Sequence, residues 1–169
     1  MNASVRFGLY NAAAAIGFTL LLYITGLNRT DHSQMFSMIG MIFPILFMYK
    51  AIVHYRLNEG HGFIPFGKAF REAFKVGIIG GLLNTLFFVI YIKFIDPTYV
   101  DHLSHLQEVA LEEKGMSPEM IEQQMVYVNK FMTPMWMFIW GAVMTIFFAA
   151  VLATIMAGIL KKQNPEVIS

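Results

Sequence analysis

Four stretches of this chain carry too little charge to be wetted on all sides, and they bound the architectures open to it. "GLYNAAAAIGFTLLLYITGL" (8–27) contains no charged residue. "MFSMIGMIFPILFMYKAIVHY" (35–55) is interrupted only by Lys50 and His54 near its end. A third run covers 76–95, with Lys93 near its end, and the fourth, "MWMFIWGAVMTIFFAAVLATIMAGIL" (135–160), is uncharged. At ~1.5 Å of rise per residue, a helix of ~20 apolar residues covers the ~30 Å of a bilayer's hydrocarbon. Four such helices buried in a water-soluble domain would need a polar shell. Only 14% of the 169 residues are charged, against ~25% in soluble domains. The sequence therefore predicts an all-α integral membrane four-helix bundle, a single domain over 1–169, with crossings at 8–27, 35–55, 76–95 and 135–160.

The same composition narrows function. A net charge of +1 lacks the basic footprint of a nucleic-acid binder, so no nucleic-acid partner is expected. With no cysteine, disulfides, thiolate metal sites and cysteine nucleophiles are excluded. A signal peptide is the rival reading of the first run, but its far end, "YITGLNRTDH", offers no small-x-small cleavage site, and we read it as a retained helix.

Lys and Arg near crossing ends stay on the cytoplasmic side. An inside N-terminus gathers Arg6, Lys50, Arg56, Lys68, Arg71, Lys75, Lys161 and Lys162 there and leaves Arg29, Lys93, Lys114 and Lys130 outside. Both termini are then expected in the cytoplasm. Most acids, Asp31 and Asp96 among them, fall outside, but they weigh little in this rule.

Two amphipathic elements flank the third crossing. Phe63, Phe66, Phe70 and Phe74 recur at helical spacing, with Lys68, Arg71, Glu72 and Lys75 opposite. This predicts an inner interfacial helix over 63–75, its rings in the acyl boundary and its cations on headgroups. Residues 97–132 predict an extracytoplasmic αα-hairpin. Asp96-Pro97 would open its first helix, Lys114-Gly115 close it, and Ser117-Pro118-Glu119 open the second. Tyr99, Leu103, Leu106, Val109 and Ala110 form one apolar stripe, and Met120, Ile121, Met125, Val128 and Met132 the other. Either the helices cover each other or they lie on the bilayer. Trp136 and Trp140, one turn apart, suit an aromatic belt.

Burial gains little between helices already in lipid, so close backbone approach must supply attraction. Ala73, Gly77, Gly81 and Thr85 give the third crossing a small-residue stripe. Gly141, Thr145, Ala149, Ala153 and Ala157 give one to the fourth, and the two are expected to meet. The intramembrane polar groups are Asn11, Lys50, His54 and Asn84. Lys50 and His54 read as side chains that reach the interface, Asn11 and Asn84 as a hydrogen-bonded pair between helices. No carboxylate falls within the predicted spans, so a buried proton relay lacks its parts. Asp101, His102, His105 and Glu108 share a helix face as metal ligands can, yet no distant third ligand follows, and a solvated face explains them. No cofactor motif and no nucleophile elbow is present, so no enzymatic activity is expected.

"GFIPFGKAFREAFKVG", a long crossing, an acidic helical hairpin and a last crossing ending in "KK" together resemble the bacterial membrane family catalogued as domain of unknown function 4199. Its F-G-x-A-F turn is matched by Phe66, Gly67, Ala69 and Phe70, and its P-E-x-I-E helix start by Pro118, Glu119, Ile121 and Glu122. The resemblance implies a four-helix inner-membrane protein and supplies no catalytic residues. The expected role is an accessory or scaffold subunit of a membrane assembly, in contact with lipids and with a membrane-protein partner or further copies of itself. A small transporter or lipid-handling protein acting as a homo-oligomer is the alternative.

Overall fold

The computed structural model describes residues 2–30 and 33–163; Asp31 and the terminal Ser169 lie outside them. Seven α-helices follow one another among the described residues. They are α1 (Ala3–Ile24), α2 (Ser33–Gly40), α3 (Ile42–Asn58), α4 (Phe66–Ile90), α5 (Tyr99–Glu113), α6 (Pro118–Phe131) and α7 (Pro134–Leu160). A 3-10 turn, Leu27–Arg29, follows α1, and a π-helical turn, Tyr91–Ile95, ends α4. The protein is mainly helical and, among the described residues, its sole extended pairing is a bridge between Ile64 and Lys162. Ala3–Ile24, Met38–Asn58, Phe66–Ile95 and Pro134–Leu160 are each long and apolar enough to cross a membrane. This is the architecture of a multi-pass membrane protein.

Two compact units result, one built from the chain up to Asn84 with the segment from Val143 onward, the other from Thr85–Ala142. In the first, α1 runs antiparallel to α3, with Phe7 edge-on to His54 at 5.9 Å and Phe18 edge-on to Phe43 at 5.6 Å. It runs parallel to α4, since Ser4 meets Glu72 and Gly8 faces Ile79. In turn α4 is antiparallel to α7, with Gly77 against Ala149 and Gly81 against Thr145. The helices thus alternate in direction. Met48, Ile52, Ala69, Ala73, Val76, Ala153 and Ala157 form the sealed centre. At one end the turn after α3 needs Gly62, whose φ of 89° a side chain would strain, and Ile64 then exchanges backbone hydrogen bonds with Lys162.

In the second unit α5 and α6 form the hairpin. Ser117 caps α6 by accepting from the Met120 amide, Pro118 occupies the first helical turn, and Gly115, at φ 75°, makes the reversal after α5. Leu111 and Ile121 are its buried contacts, and Ser104 donates to Asn129 at 2.8 Å.

Three boundaries differ from the sequence reading. The crossing expected at 35–55 breaks at Met41, because Pro44 has no N–H to offer the Gly40 carbonyl. The expected interfacial helix and third crossing are one unbroken helix, α4, whose buried positions Ala69, Glu72, Ala73, Val76, Gly77 and Gly80 keep a single face throughout. Asp96 does not cap α5; that helix starts after Thr98, and Asp96 is buried instead, accepting from the Tyr91 hydroxyl at 3.1 Å and from Thr98 Oγ1 at 3.0 Å. A carboxylate so held fixes the exit from the π-helical turn rather than the start of the next helix.

Candidate functional site

The side chains with chemistry fall into a polar cluster where α1 meets α4 and a cleft in the hairpin. The cluster centres on Glu72, which is 3% exposed. Its carboxylate accepts from the Ser4 hydroxyl. Lys68 Nζ stands 3.1 Å away and Lys75 Nζ 3.8 Å, on the turns before and after it. The Lys68 ammonium also lies 4.3 Å from the centre of the Tyr55 ring, which ties α3 to the same group. Sequence periodicity placed Glu72 on the solvated cationic face. It is interior, and it ties α1 to α4.

The rest of that helix start behaves as follows. Phe66, Phe70 and Phe74 stack in order along α4, with centroids 6.5 and 5.5 Å apart. Phe70 and Phe74 pack against the core, while Phe66 and Arg71 are exposed. Phe63 is half-buried beneath the Lys162 ammonium, 5.7 Å from its ring centre.

Small side chains set the distances between helices. A Cβ at Gly77 would lie 2.6 Å from Met48 Cε and 2.7 Å from Ala149 Cβ, and one at Gly81 2.4 Å from Thr145 Cγ2. In the second unit a Cβ at Gly141 would lie 2.7 Å from Thr85 Cγ2. Ala153, at the same spacing on α7, is wholly buried.

Of the polar groups within the spans, Asn11 is 5% exposed and seated in the notch of Gly80, where a Cβ would meet its amide nitrogen at 2.1 Å. Among the described residues its Oδ1 has no hydrogen-bond partner, so the expected bond through that oxygen to Asn84 is not made. Gly80 receives the amide one helical turn before Asn84. Lys50 is exposed, its ammonium 6.0 Å from the Phe47 ring centre, as a side chain bound for the interface should be. His54 instead turns onto Phe7, with its Nδ1 buried and without a hydrogen-bond partner among the described residues.

The cleft lies between α5 and α6 and encloses about 450 Å³. Met116, Pro118, Ile121, Met125 and Val126 give it an apolar floor, and Glu108, Glu112, Glu122 and Asn129 line the same space. Glu108 and Glu112 are one turn apart on α5, facing Glu122 on α6. Sequence reasoning saw the apolar stripes but not this cleft; the i, i+4 acids were its visible trace. His102 and His105 stay outside it. His105 Nδ1 is 3.8 Å from Glu108 Oε2 in an exposed pair, and His102 lies beside the Tyr99 ring. Among the described residues no three His, Cys, Asp or Glu converge as a metal site would require. Trp136 and Trp140 are both exposed on the first turns of α7.

A family model described as "Protein of unknown function (DUF4199)" matches residues 6–162. The chain belongs to the DUF4199 family. Neither the curated proteins nor the solved structures gave a match. In this DUF4199 protein, the residues that carried the resemblance divide between packing, the cleft and the surface, where Phe66, Gly67 and Glu119 are exposed. Ala69 is fully buried at the start of α4, and Pro118, Ile121 and Glu122 line the cleft.

Proposed function

We propose that this DUF4199 protein is a non-catalytic subunit of a bacterial inner-membrane assembly, with both termini cytoplasmic and the α5–α6 hairpin on the extracytoplasmic side. The hairpin cleft is its docking surface for a basic, amphipathic segment of a membrane-protein partner. One observation carries the reading. Three carboxylates, Glu108, Glu112 and Glu122, surround an apolar floor of Met116, Ile121 and Met125, which suits a partner offering Lys or Arg beside apolar side chains. Asn11, 5% exposed and seated against Gly80 between α1 and α4, fits a structural role too.

Purification of the full chain in mild detergent tests this. The unaltered protein should retain a stoichiometric partner, and raised salt should loosen it. Replacing Glu108, Glu112 and Glu122 together by Gln should weaken retention about tenfold, as three rim ion pairs of ~0.5 kcal/mol each would give. A chain that elutes alone and monodisperse, or a triple variant that keeps its partner, counts against the proposal.

A further inference from the structure

On α6 the apolar sector is wider than α5 covers. Ile121 is buried, and Met125, Val128 and Met132 are half-buried. Beside them runs a second stripe, Met120, Gln124, Tyr127 and Phe131, at spacings of four, three and four, which puts these residues on one line along the helix. Its apolar members are open: Met120 is 53% exposed, Tyr127 67% and Phe131 45%. No charge falls in this stripe. Glu122 and Asn129 are on the far side of the helix, the side that borders the acidic cleft.

From the geometry we infer that this stripe of α6 lies in the headgroup–acyl boundary of the bilayer, so that lipid is what covers it. The stripe does not end with α6. The Phe131 ring meets Trp136 edge-on at 5.5 Å and so runs on to the first turns of α7. There Met135, Trp136, Phe138, Ile139 and Trp140 are all exposed, around all but the side where Gly141 meets Thr85, on a helix that belongs to the most apolar of the four spans. A surface that is apolar all round is a lipid surface. Continuity with it puts Phe131 and Tyr127 at its edge, where a ring with a polar tip such as that of Tyr127 is favoured. A second protein would have to match both the stripe and the α7 surface. Lipid matches them without shape. This placement turns the acidic cleft toward water, and it holds whether or not a partner occupies that cleft.

The absence of native cysteine makes the test clean. Met120→Cys, Tyr127→Cys and Glu122→Cys would each be introduced into the full chain, spin-labelled, and reconstituted as purified protein in phosphatidylcholine vesicles. Collision of the label with a water-soluble nickel chelate should be about tenfold lower at 120 and 127 than at 122, and collision with oxygen higher, as for a helix face ~5–10 Å into the boundary. Gln124→Cys, in the same stripe, carries the same expectation should Tyr127→Cys fail to reconstitute. Equal nickel collision at 120, 127 and 122 overturns the inference. So does spectral broadening at 127 that disappears on dilution with unlabelled chain, since a second copy would then be the cover.

Discussion

Replacing Lys68 and Lys75 together by Met is expected to destabilise the protein by about 3–5 kcal/mol, the range for a buried charge stripped of its partner. The asymmetry of the cluster is the reason. The Glu72 side chain is 4% exposed, whereas those of Lys68 and Lys75 are 31% and 40% exposed. Each lysine can turn to solvent if the carboxylate goes; the carboxylate cannot follow if the lysines go, and Ser4 alone would be left to hold it. Glu72→Gln should therefore cost less than the double lysine change, and it should rescue it, so that the triple variant is more stable than the double. Methionine keeps an unbranched apolar stem, so what is lost is the ammonium, both beside Glu72 and over the Tyr55 ring. Unfolding midpoints in detergent micelles would read all three variants. A triple variant no more stable than the double would mean that Glu72 does not carry its charge in the interior as described.

Gly77→Leu is the second large effect. The glycine sits where α3, α4 and α7 converge, and its first added carbon would fall 2.6 Å from Met48 Cε and 2.7 Å from Ala149 Cβ. Met48 could bend away. Ala149 is 4% exposed and its own Cα is 3.3 Å from the same point, so α7 would have to move. Forced overpacking costs about 1–3 kcal/mol and sometimes more; with a backbone in the way the upper end applies. The matched control is Gly17→Leu. Nothing lies within 4 Å of a Cβ there, so a change within about 0.5 kcal/mol is expected, as at a free surface. The same unfolding assay separates them, and equal losses at 77 and 17 would remove close approach as the source of stability.

Much of this fold could be read from hydropathy alone, because hydrocarbon tolerates so few alternatives to an uncharged helix. The four spans and the hairpin came that way. Azimuth around a helix did not. Glu72 has Lys68 and Lys75 as neighbours on its own helix, and such a trio looks the same whether it faces water or a buried seam; only Ser4, 68 residues earlier, distinguishes the two. A hint was present, since Ala69, Ala73, Gly77 and Gly81 continue at one spacing straight through the point where two helices were expected. That regularity belongs to a single rod. Pro44 was equally visible but is silent in a count of apolar residues, although it removes the bond that would carry α2 into α3. Asn11 and Asn84 show the limit of arguing from depth. Similar depth does not dictate the partner: Asn11 seats in the notch of Gly80, and among the described residues its Oδ1 accepts no hydrogen bond.

The claim on which the rest depends is that α4 and α7 lie backbone to backbone while embedded in lipid. In the first unit a Cβ placed on Gly81 comes within 3.3 Å of Thr145 Cβ, close to the ~3.5–4.5 Å that a disulfide spans. Gly81→Cys and Thr145→Cys in one chain, with no other cysteine to compete, would be oxidised in carbonate-washed membranes before any detergent is added. The account predicts a protein that stays in the washed pellet and closes an intramolecular disulfide nearly completely, running as a monomer on a non-reducing gel. Release into the wash, or two thiols that stay free under oxidation, would contradict it.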